Sequence, residues 1–271
     1  VKLAYLQEKM QKKKKTCIKA LTYVKVSDIL EYLSTRYPLC TACDFDNVGL
    51  LVGDANATVN RVLITLDCDL GAVEFAKAQG VSLIITHHPV IFGGLKSVLK
   101  GSVVHSLIEN GISVISMHTN LDIAEDGVTA MLCDKIGLRN ITSYTAADNF
   151  TLKSGECDFA SADIFATHLK EILGSAVRYT DNGKKINRVL VCSGTGGDFL
   201  CDAISGGFDA LVTADVKHNV FIDAINYGIS VFDAGHYSTE NIILPQLKAV
   251  LSEKFGSVTF ATYSTDKIKS V

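Results

Sequence analysis

The chain lacks any apolar stretch approaching the roughly 20 residues that a bilayer-crossing helix needs; its longest apolar runs are short and punctuated. A membrane-spanning helical protein is therefore excluded as an expectation. It also has little net charge, −3 at neutral pH, too small to draw it to nucleic acid or a membrane surface by itself. The one local exception is Lys12-Lys13-Lys14-Lys15. No apolar run and small-residue cleavage site follow it, as a secretory signal would require. That run reads as a solvated helix face or a leader, with a nucleic-acid arm as the minority alternative.

Disulfide and zinc-knuckle frameworks are missing too. Eight cysteines are scattered at 17, 40, 43, 68, 133, 157, 192 and 201. Several stand inside apolar strands, where cysteine behaves as a small hydrophobe. Cys40 and Cys43 have CxxC spacing but no second such pair completes a zinc site. Reduced thiols and a cytoplasmic location are the expectation. No GxSxG elbow and no GxxxxGK[ST] phosphate loop occurs, which removes the common serine-hydrolase and P-loop chemistries.

What is present is a repeat. Asn60-Arg61-Val62-Leu63-Ile64 returns as Asn187-Arg188-Val189-Leu190-Val191, and the same offset carries Asp54 onto Asp181, Gly80 onto Gly207 and Thr86 onto Thr213. The offset then shortens, and Gly111-Ile112-Ser113-Val114 answers to Gly228-Ile229-Ser230-Val231. Each half alternates short apolar strands with helical patterns: strands near 48–52, 62–66, 81–86 and 112–117, then near 176–180, 188–192, 209–213 and 229–233. Fully apolar strands are the kind buried on both faces of a sheet. The expectation is an α/β protein of two pseudo-duplicated lobes, each with a mixed, mostly parallel sheet flanked by helices. Residues 1–22 form an N-terminal extension, 23–146 the first lobe and 147–271 the second. A last helix is expected over about 239–254, kinked by Pro245, followed by a strand near 257–263 that matches the segment at 141–145.

Functional groups in such sheets gather beyond the carboxyl ends of strands. His87-His88, His118 to Asp122 and His236 to Glu240 all fall there; His87-His88 corresponds to Ala214-Asp215 in the second half. Adjacent side chains turn apart, so His87 and His88 suit two neighbouring ions better than one. His118/Asp122 and His236/Glu240 are each four apart, a spacing that brings two side chains to one helical face. Imidazoles with carboxylates suit zinc, iron, manganese, nickel or cobalt rather than magnesium or calcium. Asp122 and Glu240 have a competing reading as caps at helix starts. His105, His168 and His218 read as ordinary surface groups. Ser193-Gly194-Thr195-Gly196-Gly197 reads either as a tight strand-to-helix turn or as an anion cradle of backbone N–H groups.

Four segments carry a resemblance to a known family: Asp46-Asn47-Val48-Gly49-Leu50-Leu51-Val52-Gly53; Thr86-His87-His88-Pro89 with Phe92; His118-Thr119-Asn120-Leu121-Asp122; and Gly235-His236-Tyr237-Ser238-Thr239-Glu240. In this order they resemble the NGG-one-interacting-factor-three-like proteins, also known as GTP cyclohydrolase one type two homologues. The match runs from about residue 23 to the end. The resemblance implies a metal site between the lobes holding two divalent ions per chain (zinc, iron or manganese). Its ligands would be His87, His88, Asp122, His236 and Glu240, with Glu240 bridging. It implies that His118 lines the same cavity, where it reads as a support for the ligands or a proton relay in preference to a ligand itself. It also implies a toroidal homohexamer and the compact form that has no insert between the lobes. A departure falls at Cys43-Asp44-Phe45-Asp46, where relatives often carry an acidic-aromatic pair; it bears on substrate contacts rather than on the ligands.

The leading functional expectation is a metal-dependent hydrolase of a nucleotide-like small molecule, opening the imidazole ring of a guanine base as the family name implies. The alternatives are a metal-binding or metal-insertion factor, and a ring-shaped scaffold for a protein partner or nucleic acid.

Overall fold

The computed structural model describes residues 23–268. Lys12–Lys15 and Cys17, and the expectations attached to them, lie outside that range. Helix α1 (Val26–Arg36) opens the described chain. Its first turn is closed by Asp28, whose carboxylate accepts the Lys25 N–H at 2.8 Å. Val26, Ile29 and Leu33 are its buried stripe.

Five strands form the first sheet: β1 (Gly49–Val52), β2 (Arg61–Thr65), β3 (Leu83–Thr86), β4 (Ser113–Ser116) and, far along the chain, β11 (Thr259–Thr262), in the order β1-β4-β3-β2-β11. All neighbours are parallel except β1 and β4. Helices α2 (Leu70–Ala78) and α3 (Val103–Glu109) cover one face, where Leu63, Ile84 and Val114 meet Val73, Ala76 and Leu107. Alternate residues Ile64, Ile85 and Ile115 enter the opposite core with Ile29 and Leu33 of α1 and with Leu247 and Leu251 of α10 (Ile243–Lys254). Both faces are covered, which is why the central positions of β2, β3 and β4 are apolar toward both sides.

The second sheet has six strands: β5 (Arg139–Thr145), β6 (Thr151–Phe159), β7 (Arg178–Tyr179), β8 (Ile186–Thr195), β9 (Ala210–Ala214) and β10 (Ser230–Asp233), ordered β5-β6-β8-β9-β10-β7. Its centre, β8-β9-β10, is parallel; the outer pairings are antiparallel. Helices α5 (Val128–Ile136) and α6 (Ala162–Leu173) pack one face, against Val189, Val191, Val212 and Phe232. Helices α7 (Leu200–Ser205) and α8 (His218–Tyr227) cover the other, against Leu190, Leu211 and Val231.

The sheets do not divide the chain at residues 146/147. Helix α5 and strand β5, expected in the first lobe, belong to the second sheet, while α10 and β11, expected in the second lobe, return to the first. The two halves thus exchange their last helix and strand. The matched segments near 141–145 and 257–263 do correspond in order, but β5 lies antiparallel to β6 whereas β11 adds parallel to β2, with Phe260 opposite Val62. Hydrophobic period identifies a strand; it does not say which open edge the strand's N–H and C=O groups will find.

The helix expected over 239–254 is two helices, α9 (His236–Glu240) and α10. Pro245 has no N–H to continue an unbroken helix, and it sits in the first turn of α10, where none is needed. No helix among the described residues is long and apolar enough to cross a membrane.

Candidate metal centre

The side chains picked out at strand ends come together. His87 and His88 follow β3, where the His87 N–H donates to Thr65 O and the His88 N–H to Leu66 O. His118 ends the segment after β4 and caps the short helix α4 (Thr119–Asp122), which carries Asp122. His236 and Glu240 open and close α9, beyond the end of β10. The carboxylates therefore end short helices, so the alternative of Asp122 and Glu240 as caps at helix starts falls away. Glu240 is admitted by Gly194, whose backbone has φ +60 and whose added Cβ would come within 2.1 Å of Glu240 Oε1. The Gly194 N–H donates to Thr239 Oγ1 at 3.1 Å and β8 runs on through Thr195, so this glycine-rich turn serves Glu240, and its first glycine N–H is not open to an anion.

Three groups of ligand-type atoms lie close enough to hold a cation: His87 with Asp122 and Glu240; His88 with His236 and Glu240; and His87 with His88 and His118, each within 4.8 Å. Glu240 is common to the first two. The histidines beyond this cluster, His105, His168 and His218, belong to no such group, nor does any cysteine among the described residues. All described cysteines are free, and burial holds the thiols of Cys68, Cys133 and Cys157 up at about 12.

Hydrogen bonds to the far side of each ring decide what the near side presents. His87 Nδ1 lies 2.9 Å from the Met117 carbonyl, which can only accept, so Nδ1 carries the proton and Nε2 offers a lone pair. His88 Nδ1 donates to Asp67 Oδ1 at 2.8 Å and His236 Nδ1 to Asp215 Oδ2 at 2.7 Å. His118 Nδ1 lies 2.9 Å from Asp46 Oδ1, and that carboxylate also accepts from the Thr119 N–H and hydroxyl. Ser193 donates to Asp122 at 3.0 Å. Such partners orient ligands and raise their basicity.

The consequence is a convergence of acceptors. His88 Nε2 and His236 Nε2 face each other across 3.3 Å and stand 3.0 and 3.1 Å from Glu240 Oε2. His87 Nε2 lies 3.5 Å from Asp122 Oδ1 and 3.8 Å from Glu240 Oε1. His87 Nε2 and Glu240 Oε2 are both buried without a properly oriented hydrogen bond, the proximity of the other rings notwithstanding. Buried acceptors without a donor are costly. A divalent cation bound among them would resolve these acceptors, and the donor set fits nitrogen-and-oxygen ligation of the borderline transition-metal class.

With no cation, protons take its place. Burial opposes charge on His88, but Asp67 and Glu240 outweigh it and raise its pKa to about 10. Glu240 and Asp215 raise His236 to about 9, against burial. Burial likewise opposes charge on His87, and the fields of Asp122 and Glu240 overcome it. Burial pushes the Asp122 carboxyl up. For Glu240 burial acts upward, yet the surrounding imidazoles together hold it well below the usual carboxylate range. Asp67, next to His88, and Asp215, next to His236, are held low as well.

Sequence reasoning found the inner ring of residues and missed the outer one. Asp46 was visible only as part of its Asp-Asn-Val-Gly segment. Asp215 stood as the counterpart of His88 in the repeat, and its backbone is one of three described non-glycine positions with positive φ, at 53. Asp67 carried no signal beyond its place after β2.

Two cavities meet at the cluster. One, of ≈ 640 Å³, reaches from His118, Glu240 and His236 to Phe45, Phe92, Phe150 and Phe199. The other, of ≈ 560 Å³, opens on the far side of His88 and His236, under Tyr263 to Ile268.

Comparison with known proteins agrees with the motifs. A protein named GTP cyclohydrolase 1 type 2 homolog from Clostridium acetobutylicum is 32% identical over 230 residues, spanning 80% of this chain and 85% of its own. Its namesake in Clostridium perfringens is 28% identical, over 86% of this chain and 94% of its own. A Staphylococcus aureus relative of the same name aligns over 367 residues, more than this chain's 271, so it carries segments absent here. The crystal structure of a hypothetical protein from Staphylococcus aureus superposes with a TM-score of 0.84 at 29% identity, covering 92% of this chain and all of that one. Reduced HcgD from Methanocaldococcus jannaschii gives 0.77 at 26% identity, over 90% of this chain and 99% of its own. With the profile of Duf34/NIF3 (NGG1p interacting factor 3) matching residues 24–269, the chain belongs to that family.

Proposed function

We propose that the cluster holds two divalent ions and that the protein is a metal-dependent hydrolase of a nucleotide-like substrate. The observation that carries this is the set of lone pairs directed at one another, with Glu240 common to both groups. His87 and Asp122 would hold one ion, His88 and His236 the other, with Glu240 between them. Ions of this class, paired a few ångströms apart, supply Lewis acidity to water and to a substrate oxygen. The chain does the rest. Asp67 and Asp215 keep Nδ1 of their histidines protonated so that Nε2 stays free for a metal. His118, oriented by Asp46 and lining the larger cavity, is placed to carry a proton to or from substrate. The names of the curated relatives point toward hydrolysis of a guanine ring, in which water breaks the bonds from one imidazole carbon to its two nitrogens and that carbon departs as formate.

The test is elemental analysis of purified wild type beside Glu240→Ala, then incubation of the loaded protein with guanosine and GTP. About two metals per chain, falling sharply in the variant, with formate released only by wild type, is expected on the dinuclear reading. No stoichiometric metal after reconstitution with zinc, iron or manganese would remove it.

A second reading, a metal-insertion factor, draws on uneven access. The His87 side chain is fully buried, whereas those of His88 and His236 are 24% and 35% exposed. An ion on the open side that exchanges within minutes, without any hydrolysis, would favour it.

A further inference from the structure

The larger cavity has chemistry of its own beyond the cluster. Its wall carries two stacked pairs of phenylalanines, one from each sheet's loops. Phe45 and Phe92 stand 6.3 Å apart at 25°, and Phe150 and Phe199 stand 5.4 Å apart at 21°. Phe45 and Phe92 are 65% and 54% exposed, so they carry little of the core. Phe92 also meets the His118 ring edge-on at 5.8 Å, which ties the aromatic wall to the candidate proton carrier. Flat apolar faces flanking a polar cluster select a flat, polarisable ligand.

The charge on the rest of the wall is of one sign. Asp148, Asp198 and Asp202 line it, and no lysine or arginine does among the described residues. Asp202 is engaged by the Ala147 N–H, and Asp148 by the Phe150 N–H. The second cavity offers an anion no better home. Asp67, Asp69, Asp215 and Asp266 line it, and the lysine among its described lining residues, Lys267, is ion-paired with Asp69. Away from the cluster, whose ions the reacting ring would occupy, phosphate sites draw on arginine and lysine, and among the described residues neither cavity wall supplies a set of them.

We propose that the substrate is a purine-sized heterocycle presented without a polyphosphate: a base or nucleoside rather than a nucleoside triphosphate. The inference rests on the reading that the cluster attacks the ring. A ring seated at the cluster, against Phe92, carries any phosphate chain into a cavity whose wall holds Asp148, Asp198 and Asp202, and like charges repel it there. Uncharged ring edges, by contrast, bring N–H donors that those carboxylates accept.

The experiment is calorimetric titration of the metal-loaded protein with guanosine, GTP and inorganic tripolyphosphate at equal ionic strength, with metal assayed on each sample. Guanosine should bind roughly tenfold more tightly than GTP, given several repelled charges. Phe92→Ala and Phe45→Ala, both on exposed side chains, should weaken guanosine roughly tenfold with metal content unchanged. Asp198→Asn should narrow the gap between GTP and guanosine by roughly threefold. GTP binding as tightly as guanosine, with tripolyphosphate competing, would overturn the inference, as would no binding of guanosine or wild-type binding in both phenylalanine variants. Failure of the hydrolase reading looks different: guanosine would still bind through Phe92, while the metal assay came out empty or no formate appeared.

Discussion

At the scale of single residues, the cluster's chemistry turns on where protons sit. Asp215 keeps the His236 proton on Nδ1. Asp215→Asn leaves a partner that no longer demands that tautomer, and metal affinity should fall by about 10- to 100-fold. Competition with a chromogenic chelator measures this; unchanged affinity would deny Asp215 its role. The raised values of His88, about 10, and His236, about 9, make a second prediction for the metal-free protein. Both lie above the ordinary 6.5, so the folded state binds these protons more tightly than the unfolded chain. Their contribution to stability is full below about pH 6.5 and is lost as pH climbs through 9 and 10. The melting temperature of chelator-stripped protein should therefore decline across that window. Metal displaces the same protons, so the loaded protein should decline less and its apparent affinity should rise with pH. A flat profile for the stripped protein would show that the rings are not protonated as described.

Among the elements, the exchange of terminal pieces ties the two sheets together. Helix α10 follows the second sheet in sequence yet buries Leu244, Leu247 and Leu251 in the first sheet's core. Helix α5 makes the reverse journey, placing Leu132, Cys133 and Ile136 under the second sheet. Neither half can close its core alone. Leu247→Ala, at a fully packed site, should cost about 2–5 kcal/mol and lower the stability of both sheets at once. Urea unfolding followed by far-ultraviolet dichroism and by labelling of Cys157 and Cys192, both on the second sheet, should show one coincident transition. Separate transitions would mean that the lobes fold independently.

For the molecule as a whole, the exposed surface suggests assembly. Leu95, Leu99, Ile225 and Tyr227 remain 51%, 70%, 55% and 69% exposed. Side chains of this kind mark a contact surface where they form a contiguous patch. Together with the ring implied by the family resemblance, this predicts a particle of six chains in light scattering. Leu99→Asp should reduce its mass. A wild-type particle with the mass of one chain would refute assembly and leave those side chains without a partner.

The ligand candidates were readable because each stands just past an apolar strand, and an α/β sheet collects the ends of its parallel strands at one edge. The repeat gave two sheets for the same local reason: apolar runs of strand length, separated by helical periods. Which strand would pair with which was not readable. Backbone N–H and C=O groups are alike in every residue, so β11 beside β2, and β5 beside β6, follow from how open edges and helix faces meet. The same holds around the cluster. His87, His88, Asp122, His236 and Glu240 are local in sequence to their strands, but Asp67, Asp215 and Asp46 reach their histidines across 21, 21 and 72 positions. Residue type supplied the candidate ligands. Only the folded chain decided which nitrogen of each ring would face inward, because a distant carboxylate or carbonyl holds the proton on the other.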